Sequence, residues 1–220
     1  MNGTMSHAVV ALVMWATMPI SWVSAGVTGE SDDPILDAID VSFEIPAEEF
    51  HIVFPQDASL TSFESTYGAG KEDGRRHLGN DLVAPKMTPV YAIADGVVLR
   101  AGTTSRAGAQ IWIDHGNGWT SWYMHLNNDS PGSDDGRAER HETFAPGVEA
   151  GAFVAAGQLI GFVGDSGNAE GTEPHTHFEL HRDGRPVNPY SYLIEAHERA
   201  ILAMSSALMA RIARSWASIR

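Results

Sequence analysis

AQIWIDHGNGWTSWYMHL, residues 109–126, reads as two strands joined by a turn. Ile111, Trp112 and Ile113 on one side, and Trp119, Thr120, Trp122 and Tyr123 on the other, are the β-branched and aromatic types that suit a pleated surface. Asn117-Gly118 between them accepts the left-handed backbone of a tight hairpin turn. Outward from this hairpin the chain keeps the same pattern. HIVF (51–54), PVYAIADGVVLRAG (89–102), GQLIGFVGDSG (157–167) and THFELHR (176–182) are short apolar or alternating runs set apart by Gly, Asn and Asp. The pattern predicts an all-β core, mainly antiparallel, with little helix before residue 189.

Two stretches flanking the hairpin echo each other, VYAIADGVVLRAG (90–102) and VEAGAFVAAGQLIGFVGDSG (148–167). Each brings a strand to a Gly turn and then a second strand, as in a duplicated hairpin unit. NNDSPGSDDGRAERHETFAPG (127–147) is polar and too long for a simple hairpin connection. Its Asp129, Asp134, Asp135, Glu139 and Glu142 offer the clustered oxygens that calcium takes, but their spacing matches no EF-hand loop. A solvated charged loop that narrows or covers a neighbouring groove is the expectation. After Pro189 the period changes. Leu193, Ile194, Ile201, Met204, Leu208, Ile212, Trp216 and Ile219 recur at helical spacing, which predicts a C-terminal amphipathic helix docked on its own domain.

Ahead of His51 the chain reads differently. Residues 8–23 are apolar and Val23-Ser24-Ala25 is a small-residue cleavage site, so residues 1–25 are expected to be a signal peptide. The run is shorter than the ~20 residues of a spanning helix. Residues 26–50 form an acidic lead-in, read as a spacer before a domain over 51–193 and a helical extension over 194–220. Asp and Glu outnumber Lys and Arg 28 to 14, a formal charge of −14, which argues against a nucleic-acid partner because phosphate contacts need basic patches. The chain has no cysteine, which excludes disulfides and thiolate zinc sites.

Against this background a set of His and Asp residues stands out. His77 and Asp81 lie four apart in HLGND, His125 ends WYMH, and His175 and His177 bracket Thr176 in PHTHFEL. Strand residues two apart share a face, so both imidazoles of the last pair point one way and Thr176 the other. His77, Asp81 and one histidine of the pair make an N,N,O set suited to Zn²⁺ with a position left for water, and the remaining imidazoles are free for proton transfer.

HxGxD at 77–81, YxHL at 123–126, GQxIGxxGxSG-like residues at 157–167 and HxHFE at 175–179 occur in that order. Together they resemble the lysostaphin/LytM-type zinc endopeptidases, peptidase family M23, over about residues 51–193. The resemblance implies a mostly antiparallel β fold with a groove walled by loops, and an exported enzyme that cuts peptidoglycan stem or cross-bridge peptides. It implies one zinc ion per chain held by His77, Asp81 and His177, with His125 and His175 as unligated catalytic histidines. Membrane contact would come only through an uncleaved N-terminus or the C-terminal helix. Two other readings compete: a non-catalytic wall-binding or regulatory module of the same fold, and a secreted peptidase acting on Gly-rich proteins. The complete set of five chemical positions argues against the first.

The other histidines, His51, His115, His141, His181 and His197, are read as surface or satisfied core residues. Trp122 and Tyr123 alternate along one strand, so one is expected to face the core while the other packs or lines the groove, with packing the favoured role. Asp165 departs from the resemblance where small hydroxyl residues are common, and Thr176 departs where a large apolar residue is usual.

Overall fold

A computed structural model describes residues 50–70 and 74–217; the expected signal peptide and all of the acidic lead-in except Phe50 lie outside the described residues. The 109–126 hairpin is present as β4 (Gly108–Gly116) and β5 (Trp119–Leu126), with Asn117 and Gly118 both at positive φ in the turn. The elements before it are β1 (Asn80–Val83), β2 (Pro89–Tyr91) and β3 (Gly96–Thr104). After it come the single-turn helix α1 (Arg140–Thr143), then β6 (Phe153–Val154), β7 (Leu159–Phe162), β8 (His175–Arg182), β9 (Arg185–Val187) and the long helix α2 (Tyr190–Ala217).

Seven strands form one antiparallel sheet in the order β1-β8-β5-β4-β3-β6, with β9 also on β8; β2 and β7 form a second, two-stranded sheet. The internal echo has a structural counterpart. Its two halves pair crosswise, β2 with β7 and β3 with β6. One face of the large sheet gives Ile111, Ile113, Tyr123, Phe178 and Leu180 to a core shared with Val90, Ile93 and Ile160 of the smaller unit, all fully buried. Each such side chain contributes roughly 1.5–3 kcal/mol by leaving water. Tyr123 is therefore the core member of the Trp122–Tyr123 pair, and its hydroxyl accepts the Ile93 N–H at 3.0 Å. The opposite face of the sheet carries the polar chemistry.

Two expectations are corrected. The α2 stripe docks only at its start: Leu193 and Ala196 are buried, His197 Nε2 donates to Ala58 O at 2.9 Å, and Arg199 donates to Ile52 O at 2.8 Å. Leu202, Leu208, Met209, Ile212 and Trp216 are exposed, because the helix outruns the body it packs on. No helix among the described residues is long and apolar enough to cross a membrane. The 127–147 insert is not simply solvated. Lys86 Nζ lies 2.7 Å from Asp129 Oδ2, 2.7 Å from Asp134 Oδ1 and 2.8 Å from Asp165 Oδ1. Asp129 is buried, and its other oxygen accepts Gly136 N–H at 2.8 Å. The cluster of Asp129, Asp134 and Glu170 that has metal-like spacing thus has two of its carboxylates already on an ammonium group. This also accounts for the departure at Asp165, whose carboxylate is the third partner of Lys86.

Candidate metal centre and groove

Strand β8 supplies the centre through alternation. Thr176, Phe178 and Leu180 are fully buried and fall on the core face, while His175, His177, Glu179 and His181 fall on the other. Strand β1 lies antiparallel to it with Asp81 opposite His177. Gly79 lets the two strands meet: a Cβ there would lie 2.2 Å from Phe178 O, so the residue between His77 and Asp81 has to be glycine.

His77, Asp81 and His177 converge, with one donor atom from each within 4.8 Å of the others. His77 Nε2 is 3.1 Å from Asp81 Oδ1 and 2.9 Å from His177 Nδ1, and His177 Nδ1 is 2.8 Å from Asp81 Oδ1. Hydrogen bonds on the far sides of the rings fix the tautomers. His77 Nδ1 donates to Thr66 O at 3.1 Å, and His177 Nε2 donates to Glu179 Oε1 at 3.0 Å. The inward nitrogens share protons with Asp81 in the metal-free protein, and they carry lone pairs once those protons leave. Burial acts to raise the Asp81 pKa, but hydrogen bonds and charge from His177 and His77 hold it well below the carboxylate range. Two lone pairs and an ionised carboxylate aimed at one point are the complement of a divalent cation, and the N,N,O set suits zinc.

His125 and His175 stand beside this cluster. Their rings are 5.2 Å apart, His125 is 6.0 Å from the His177 ring, and His175 Nε2 is 3.9 Å from Asp81 Oδ1. His125 reaches the groove by breaking the strand alternation. Tyr123 and Leu126 both face the core, a register shift lies between Ala109 and Ile111 on the partner strand, and His125 takes φ 59°. Met124 and His125 therefore both line the groove. His125 Nδ1 donates to Ser166 O at 2.9 Å and His175 Nδ1 to Glu173 O at 2.7 Å, which leaves both Nε2 atoms as bases. Burial pushes the His125 pKa down to about 4, against the opposing Ser166 hydrogen bond, so the ring is neutral near pH 7. Gly167, at φ 77°, packs against Gly108 and Arg106 O and holds the Ser166 carbonyl in place.

All five residues singled out in the sequence come together. Others were missed. Glu179 bridges two rings, His177 Nε2 at 3.0 Å and His181 Nε2 at 2.7 Å, and His181 stacks on Trp122 at 4.1 Å. Burial raises the Glu179 carboxyl, yet the hydrogen bonds from His177 and His181 outweigh it and bring it down to about 2. The alternation His175, His177, Glu179, His181 was the signal for this chain of contacts. Beside the centre opens a cavity of about 320 Å³ whose wall includes Arg100, Arg106, Trp112, Trp122, His125 and His177. No residue of the 127–147 insert lines this cavity.

An antiparallel sheet with a three-donor cation site and two free imidazoles beside a groove has the make-up of a metallohydrolase. The model of peptidase family M23 matches residues 75–189, and the chain belongs to that family. It is 35% identical over 147 residues to the DD-carboxypeptidase/endopeptidase Mpg of Neisseria meningitidis, covering 63% of this chain and 30% of that protein. Over 112 residues it is 37% identical to the peptidoglycan DD-endopeptidase ShyA of Vibrio cholerae, covering 51% of this chain and 22% of that one. The chain thus spans less than a third of the length of these relatives. A solved structure of a zinc-containing peptidase from Vibrio cholerae aligns with TM-score 0.51 and 28% identity, over 63% of this chain and 39% of the other.

Proposed function

We propose that the chain is a zinc endopeptidase that hydrolyses peptide bonds of peptidoglycan stems or cross-bridges, and that it acts outside the cytoplasmic membrane. The observation that carries this reading is the convergence of His77 Nε2, His177 Nδ1 and the Asp81 carboxylate on one point, with two further imidazoles facing it. His77, Asp81 and His177 hold one zinc ion. Zinc bound there supplies the Lewis acidity that activates water and polarises a carbonyl. His125 and His175, each with Nδ1 pinned to a backbone carbonyl, present Nε2 to take a proton from the attacking water and return it to the leaving amine. The buried Glu179 behind His177 holds Nε2, so Nδ1 is the ring atom that would be left to hold a metal. The names of the two curated relatives make a bond between two D-residues of the cross-link the first substrate to try.

The test is digestion of purified, cross-linked peptidoglycan by zinc-loaded protein, with fragments identified by mass spectrometry. Release of uncross-linked muropeptides that stops on chelation and returns with zinc is the expected result. An intact sacculus after prolonged digestion, with zinc bound, overturns the reading.

A further inference from the structure

The groove carries one feature that metal chemistry does not use. Four strands in register bring Arg100, Trp112, Trp122 and Glu179 into a row across the sheet: Arg100 faces Trp112, Trp112 faces Trp122, and Trp122 faces Glu179. The two indoles are stacked, 4.0 Å apart and 6° from parallel, and the Arg100 guanidinium lies over Trp112 at 5.4 Å. Trp112 is fixed by its Nε1–H, which donates to Gln110 Oε1 at 2.9 Å, and Gln110 in turn donates to Thr104 Oγ1 at 3.2 Å. Arg106 projects from the turn that follows Thr104, and its carbonyl accepts Asn168 N–H at 2.9 Å, which ties that turn to the loop orienting His125.

Neither Arg100 nor Arg106 meets a carboxylate among the described residues, although acidic residues outnumber basic ones two to one in this chain. The one carboxylate in the wall, Glu179, has its oxygens on His177 and His181. Two guanidinium groups without a carboxylate partner among the described residues, one of them placed over an indole, offer donors for an anion. The indole faces are taken up by Arg100, by each other and by His181, so the row offers ring edges as an apolar wall beside an extended peptide. The Arg100 head over Trp112 lies two strand spacings from β8, about 10 Å, which an extended chain covers in about three residues.

We infer that Arg100, assisted by Arg106, forms a carboxylate-binding subsite that selects wall peptides bearing a free carboxylate two to three residues from the bond cut. The inference rests on the peptidoglycan reading above. It also explains how a strongly acidic chain accepts an anionic substrate, since the groove is locally cationic where the whole molecule is not.

The test uses the zinc-loaded full chain on the His125→Ala background, where the peptide is not turned over, and reads binding by tryptophan fluorescence. The probe is a soluble cross-linked muropeptide with free carboxylates, compared with its fully amidated form and with inorganic phosphate. The free acid is expected to bind at least about tenfold more tightly than the amide. Arg100→Gln should remove that preference, Arg106→Gln should reduce it, and Trp112→Phe should lower the fluorescence change. Thermal melts confirm that each variant is folded. Equal affinity for acid and amide, no binding of either, or equal competition by phosphate overturns the subsite. The parent enzyme on peptidoglycan is a separate arm. Cleavage without a carboxylate preference defeats the subsite alone, and a preference without cleavage defeats the peptidase reading alone.

Discussion

Around Asp81, two imidazole nitrogens close in and no Lys or Arg side chain among the described residues reaches the carboxylate. Around Asp129 the crowding is as tight, but Lys86 occupies the middle, within 2.8 Å of three carboxylates. Both places have donor spacings suited to an ion. What separates a metal centre from a structural knot is therefore not the number of acids. It is whether the fold has already supplied a cation.

The comparison breaks most visibly at Asp81. Asp81→Ala should lose zinc retention and hydrolysis together, checked by metal analysis and by fragment release from peptidoglycan; tight zinc in this variant would remove Asp81 from the ligand set. His125→Ala and His175→Ala sharpen it, since they should keep the metal and lose about 10²-fold or more in rate. Turnover near the parent's value in either would take that ring out of the chemistry.

On the other side of the comparison, Lys86→Met leaves the buried carboxylates of Asp129 and Asp165 without their counter-charge. It should cost about 3–5 kcal/mol in urea unfolding, and millimolar calcium should recover part of that in the variant and none in the parent. A variant as stable as the parent would show that the lysine does not hold the knot together. Glu179 offers a carboxylate of a third kind, paired with two imidazoles. Its folded pKa is depressed from 4.5 to about 2, so its contribution to the metal-free protein is complete above pH 4.5 and is lost as pH falls through 2. That contribution is at most roughly 3 kcal/mol, and denaturant titrations should show a shallower loss across this window in Glu179→Gln. The smallest effect belongs to Asp134→Ala. Its side chain is 65% exposed, so solvent screens the pair with Lys86 and the loss should be about 0.5 kcal/mol.

The hairpin over 109–126, the strand-rich core and the five candidate residues that the fold brings together were all legible in the sequence. Period-two alternation in PHTHFEL and the Asn-Gly turn act within a few residues, and that is the range over which a sequence speaks for itself. What was missed depends on partners distant in the chain. Lys86 joins residues 43, 48 and 79 positions away, so nothing local marked Asp129 for burial. His125 stands on the groove side only because β5 bulges against β4, a register event that alternation predicts wrongly. Trp122 read as packing because its stack on Trp112, and the arginine over Trp112, come from strand pairing. The C-terminal stripe misled in the other direction: apolar periodicity says which face of a helix would dock, not how far the body beneath it extends.

Lys86 also decides which part of this molecule answers to its surroundings. A cation tethered by a side chain cannot be dialysed away, captured by EDTA or drawn off by a polyanionic matrix, and Asp129, one of its two nearest partners, is almost wholly out of the solvent's reach. Starving the protein of divalent ions should therefore silence the His77–Asp81–His177 centre and leave the 127–147 segment as resistant to protease as before. The chain separates supply-dependent chemistry from supply-independent architecture, and a chelator is the simplest tool for pulling the two apart.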